Sequence, residues 1–165
     1  MDVINKIQKV VYEKFLTVVV IVIGMTMAFS VSLQVLGRYV MKTPFPWTEE
    51  LARLCYVWFA LLGSALTLSQ NGHLGVDYFF RKFDDRIKKV LELATWVIVI
   101  AACAIVLNSG IKILAVVAKQ HTAILRISYV WSYSSVPTAA GFMGFYGILS
   151  LVKALFYGWR RDTQS

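Results

Sequence analysis

The chain has 165 residues, of which 58% are hydrophobic and only 16% charged, well below the roughly 25% charged residues of soluble domains. The apolar residues gather in long runs instead of alternating with polar ones, so the solvent they suit is a bilayer. The formal net charge of +8 does not point to nucleic acid, because the basic residues flank the apolar runs and form no continuous patch.

Crossing the hydrocarbon core takes about 20 apolar residues in a helix. Four segments qualify: Leu16–Leu36, Leu51–Gln70, Leu91–Ile111 and Trp131–Val152. In lipid each must be helical, since a lone strand would leave its backbone donors and acceptors unpaired. The expected fold is therefore all-α, a single membrane domain over residues 1–165 with four transmembrane helices.

Ahead of the first span, Val3, Ile4, Ile7, Val10 and Val11 share one helical face, with Asn5, Lys6, Gln8 and Lys9 opposite. This predicts an amphipathic helix in the headgroup region. Lys6, Lys9 and Lys14 also resemble the basic start of a signal peptide. The apolar run that follows outlasts the roughly 7–15 residues of such a leader, so a retained helix is expected. Within span one, Gly24 and Ala28 form a pair of small residues one turn apart, a spacing that lets helices approach closely.

Pro44 and Pro46 end the first helix and shape a short turn. Thr48 is expected to N-cap the second helix, with Glu49 and Glu50 in its first turn, where acidic groups favour the helix dipole. Arg53 lies four residues after Glu49 and three after Glu50, so either carboxylate can pair with it on the helix surface. Trp47 fits an aromatic anchor at headgroup level, and Gly63 with Thr67 repeats the small-residue spacing.

After Asn71-Gly72, the residues Val76, Phe79, Phe80, Phe83, Ile87 and Val90 recur with a helical period opposite Asp77, Arg81, Lys82, Asp84, Asp85, Lys88 and Lys89. A second interfacial helix is predicted there. His73 and Asp77 are one turn apart, a spacing suited to a local hydrogen bond that fixes the loop. Lys112 lies about 31 Å beyond Leu91 at 1.5 Å per residue, at the far interface, where a lysine snorkels. In span four, Pro137 predicts a kink, and Ala140, Gly144 and Gly147, beside Gly141, offer a small-residue surface.

The apolar spans hold no deep ionisable group of the kind an independent ion-coupled carrier uses. Haem ligation across a bundle needs buried histidine, and the two histidines, His73 and His121, fall in loops. Cys55 and Cys103 lack CxxC spacing and read as packing residues. No catalytic residue, metal ligand or cofactor is expected. The N-terminal segment, the loop between spans two and three and the C-terminal tail carry eleven Lys and Arg residues against six on the other side. Both termini are therefore expected on the cytoplasmic side of a bacterial inner membrane, crossed several times.

The stretch from Gly37 to Asp77 carries a motif: R-Y, P, W-x-E-E-x-A-R, then W, G and G-H-x-x-x-D. It is met by Arg38, Tyr39, Pro44, Trp47, Glu49, Glu50, Ala52, Arg53, Trp58, Gly63, Gly72, His73 and Asp77, with Pro137 agreeing in span four. In these residues the chain resembles the small, DctQ-like membrane subunit of the tripartite ATP-independent periplasmic (TRAP) transporters. The resemblance implies a sodium symport system for uptake of an organic acid, of the sialic acid or C4-dicarboxylate class. It also implies a large elevator-type membrane subunit that holds the substrate and ion sites, and a periplasmic substrate-binding protein that docks transiently. The small subunit would be a scaffold without a substrate site of its own. On composition alone, an autonomous oligomeric four-helix transporter and a structural subunit of a membrane redox complex compete with this reading.

Overall fold

The computed structural model describes residues 8–43, 45–71 and 85–162. Its elements are α1 (Lys9–Leu16, π-helical), α2 (Thr17–Tyr39), α3 (Pro46–Asn71), α4 (Asp85–Val117), the single turn α5 (Val130–Tyr133) and α6 (Ser135–Asp162). Among the described residues, four stretches are long and apolar enough to cross a membrane: Val10–Tyr39, Pro46–Gln70, Leu93–Val117 and Val130–Leu155. These coincide with the four expected spans, and most reach a turn or more past the apolar runs. The run measures the hydrocarbon, whereas the helix continues into the headgroups. Met25, Phe29, Ile98 and Ile105 are all about two-thirds exposed in the single chain, an arrangement that suits lipid or a packed neighbouring subunit and not water.

Of the two expected interfacial helices, residues 1–7 and 72–84 lie outside the described residues. The described part of the first, from Gln8, runs unbroken into the span. The π-wound turns of α1 let the Thr17 hydroxyl donate to the Tyr12 carbonyl at 3.1 Å. They also turn Tyr12 and Leu16 into the bundle, where each is 1% exposed.

The helices pack as two antiparallel pairs, α2 on α3 and α4 on α6, joined where α3 meets α6. Tyr12, Leu16, Val20, Leu62 and Ala65 form the core at the end nearer the chain termini, with Phe59, Phe142 and Tyr146 packed around them. A buried phenol needs a partner for its hydroxyl. Tyr12 donates to the Phe142 carbonyl at 2.6 Å. Tyr146 donates to the Ser69 carbonyl at 3.1 Å, one of the terminal carbonyls that α3 cannot satisfy itself. The rings of Tyr12 and Tyr146 meet edge to face, with centroids 5.3 Å apart.

The α4–α6 pair is a close approach of small groups. Gly110 is buried against Pro137, and a Cβ there would lie 3.1 Å from the proline Cδ. Gly144 faces Cys103, and Gly147 faces Ile100 and Trp96. The small-residue surface of α6, with Ala139 and Ala140 buried, is thus used inside this bundle. The expected disturbance at Pro137 falls upstream, where helical winding is interrupted at Ser134 between α5 and α6. Proline carries no N–H for the carbonyl four residues back, and hydroxyls crowd this loosened turn. Ser134 donates to the Trp131 carbonyl at 3.0 Å, Ser135 to Ser132 at 2.5 Å and Thr138 to Ser134 at 2.7 Å. In lipid a broken helix persists only when such partners are supplied.

Candidate functional site

Most of the motif residues that the structure describes, from Arg38 to Arg53, lie at one end of the bundle, where the α2–α3 turn meets the loop between α4 and α5. The turn begins with Lys42 in the left-handed region, φ 53°, a position where helices usually end on glycine. The chain folds back tightly, and the Thr43 amide donates to the Gly37 carbonyl at 3.1 Å. Phe45 lies so close over Gly37 that a Cβ there would meet its Cδ2 at 2.7 Å. Only glycine fits.

The second helix starts earlier than Thr48. Pro46 takes the first helical position, where its fixed φ and missing N–H cost nothing. Thr48, 0% exposed, does not cap by accepting a hydrogen bond. Its hydroxyl donates backwards to the Phe45 carbonyl at 2.6 Å. The expected N-cap is corrected accordingly: the proline defines the helix start, and the threonine locks the residue before it.

The two adjacent glutamates have different duties. Glu49 pairs with Arg53 at 3.1 Å on an exposed helix face. Glu50 turns the other way and accepts two backbone hydrogen bonds from the distant loop, from the Ile124 amide at 2.9 Å and the Leu125 amide at 2.8 Å. That loop is a miniature hairpin. Tyr129 N donates to Gln120 O at 3.0 Å and Thr122 N to Ile127 O at 2.9 Å, around an isolated bridge of His121 with Ser128. The Thr122 hydroxyl accepts from Ile127 N at 3.1 Å, and Arg126 turns the tip with φ 51°. The tip amides have no partner within the hairpin, so the forked carboxylate takes both. Charge-assisted bonds of this kind are the stronger class.

Trp58 makes the second link between these segments. Its indole Nε1 donates to the Trp131 carbonyl at 2.9 Å, tying α3 to the interrupted helix at α5. Arg38, Tyr39 and Trp47 are exposed at this end. Gly63 lies further along α3, and a Cβ there would meet nothing within 4 Å. Of the small pairs, Gly24 packs under the Phe59 ring, whereas Ala28 and Thr67 are exposed. Pro44, His73 and Asp77 lie outside the described residues. Among the described residues no three His, Cys, Asp or Glu side chains come together as metal ligands.

Sequence spacing did not point to Ile124 and Leu125 as partners of Glu50, nor to Tyr12 as a core residue. Gly110 had a signal, an isolated glycine inside a helical run, although nothing in the sequence identified Pro137 as its neighbour.

Residues 27–156 match the model of the family described as "Tripartite ATP-independent periplasmic transporters, DctQ component". The chain belongs to this family. It is a small permease component of a TRAP transporter, and so part of a transporter and not an enzyme. It is 27% identical over 112 residues to the sialic acid TRAP transporter small permease protein SiaQ of Vibrio cholerae, covering 68% of this chain and 65% of that one. It is 26% identical over 112 residues to the sialic acid TRAP transporter permease protein SiaT of Haemophilus influenzae, where the match covers 68% of this chain but 18% of the relative. A Haemophilus influenzae protein named "Putative TRAP transporter small permease protein" is 21% identical over 85% of this chain and 83% of its own length. The chain thus spans about two-thirds of SiaQ and under a fifth of SiaT.

Proposed function

We propose that this small permease is a scaffold subunit, which braces a separate large elevator-type subunit in the bacterial inner membrane and holds no substrate site itself. The transporter imports an organic acid of the sialic acid or C4-dicarboxylate class, driven by sodium. Both termini are cytoplasmic, and the end bearing the Glu50 clasp faces the periplasm.

The observation that carries this reading is the distribution of carboxylates. The sequence holds no Asp or Glu from 14 to 48, from 51 to 76 or from 93 to 161. The pair at the start of α3 is already engaged, Glu49 by Arg53 and Glu50 by backbone amides. Ion coupling inside a membrane needs charge or dipole partners, and this chain offers no acid for that work. SiaT supports the choice of partner, since the segment similar to this chain is only 18% of that permease. The Lys and Arg imbalance supports the orientation.

Reconstitution tests the reading. Proteoliposomes holding this chain, the large permease and the soluble binding protein should accumulate organic acid under an inward sodium gradient. Vesicles with this chain alone should not. Uptake by the chain alone would overturn the scaffold assignment.

A further inference from the structure

Where α2 ends and α3 begins, a cavity of about 130 Å³ lies between the two helices, lined by Gln34, Arg38, Phe45, Pro46 and Glu49. One water needs roughly 10–15 Å³ of such space, so there is room for a group the size of a phosphate. The walls set its depth. Arg38 stands in the last turn of α2, just past the apolar run, and Pro46 is the first residue of α3. Tyr39 and Trp47, exposed beside it, are of the aromatic type that favours headgroup level. The cavity therefore lies at the boundary between hydrocarbon and water.

The polar groups around it are unequally used. Glu49 spends Oε1 on Arg53 at 3.1 Å. Among the described residues, the side chains of Arg38 and Gln34 have no hydrogen-bond or ion-pair partner. An arginine fork matches two phosphate oxygens at once, and the Gln34 amide adds a neutral N–H donor one helical turn deeper. Glu49 puts a negative charge on the same rim, which favours an ammonium and opposes a purely anionic group. Beneath Arg38, the residues Val35, Val31 and Ala28 follow at helical spacing, and all three are exposed. They form an apolar track from the cavity into the hydrocarbon.

We infer that this cavity binds the headgroup of a zwitterionic phospholipid with a primary ammonium. Its phosphate lies on Arg38 and Gln34, its ammonium toward Glu49 and an acyl chain along Val35 and Val31. A cation and a carboxylate on one rim select a headgroup that carries both signs. The apolar track selects a lipid over a soluble phosphoester of the same chemistry. The site requires only that the chain spans a membrane, so it stands apart from the subunit role.

Native mass spectrometry of the full chain in detergent, titrated with single lipids, tests the site. One phosphatidylethanolamine should bind about tenfold more tightly than phosphatidylglycerol, which lacks the ammonium, or phosphatidylcholine, whose ammonium has no N–H. Arg38→Gln should abolish that preference and the rise in melting temperature that the lipid gives the wild type, yet melt like the wild type without lipid. Glu49→Gln should still bind lipid but admit phosphatidylglycerol as readily as phosphatidylethanolamine. Equal binding of all three lipids by the wild type, or an unchanged preference in Arg38→Gln, would overturn the inference. So would glycerophosphoethanolamine binding as tightly as the whole lipid, which would assign the cavity to a soluble phosphoester. If Arg38→Gln fails to fold, Glu49→Gln decides, and wild-type selectivity in that variant contradicts the site.

Discussion

The Glu50 carboxylate holds the Leu125 amide at 2.8 Å, joining the start of α3 to the tip of a hairpin 75 residues further along the chain. Its other oxygen takes the neighbouring Ile124 amide at 2.9 Å. One side chain thereby fixes the register of the two loops at this end. Glu49, next to it in sequence, forms an exposed pair with Arg53.

Substitution separates these neighbours. Glu50→Gln removes the charge and one acceptor oxygen, leaving a tip amide unpaired, and should make residues 118–129 exchange amide hydrogen faster and cut more readily with protease. Glu49→Gln should leave both readouts unchanged, because an exposed i,i+4 pair contributes about 0.5 kcal/mol or less. Equal effects from the two variants would contradict the clasp.

The α4–α6 contact predicts a contrast between two glycines. Gly110→Ala brings a methyl to 3.1 Å from Pro137 and should destabilise the detergent-solubilised subunit by about 1–3 kcal/mol through overpacking. Gly63→Ala meets nothing within 4 Å and should be neutral or stabilising by about 0.5–1 kcal/mol, since alanine is the better helix former. Thermal unfolding of both variants is the measurement. If Gly63→Ala nevertheless weakens retention of the large permease, that face of α3 is where the two subunits touch.

Tyr12 reports whether the segment before the span is integral to the bundle. Tyr12→Phe keeps the ring but loses the hydroxyl bond to the Phe142 carbonyl, at a cost of about 1 kcal/mol. Tyr12→Ala should cost about 3–5 kcal/mol, as for other buried aromatics. A negligible effect of Tyr12→Ala on thermal unfolding would mean that α1 is not packed as described.

Trp58→Phe removes the donor to the Trp131 carbonyl while retaining an aromatic ring. Ser134 also donates to that carbonyl, so the loss should stay near 1 kcal/mol. Combining it with Ser134→Ala, which leaves the carbonyl without either side-chain donor, should destabilise by more than the two single effects added.

Four spans were legible because a run of about 20 apolar residues leaves a chain few alternatives in lipid. The motif around Trp47, Glu49 and Arg53 was legible too, and the Glu49–Arg53 pair follows from helical spacing alone. Glu50 shows where spacing runs out. Locally it could equally have paired with Arg53, and its actual partners are backbone amides of a distant loop, which bear no side-chain signature. Thr48 misled for a related reason. A threonine before two acids reads as a cap, yet the proline two residues earlier already supplies the helix start. Pro137 was conspicuous in sequence, but its contact with Gly110 depends on how α4 and α6 pair, which no one-dimensional pattern encodes.

The most direct measurement is affinity purification of the tagged chain from its native membrane in mild detergent, followed by mass spectrometry of what remains bound. The account predicts a large multi-span permease retained in stoichiometric amount. A clean homo-oligomer of this chain, with no large permease attached, would contradict it.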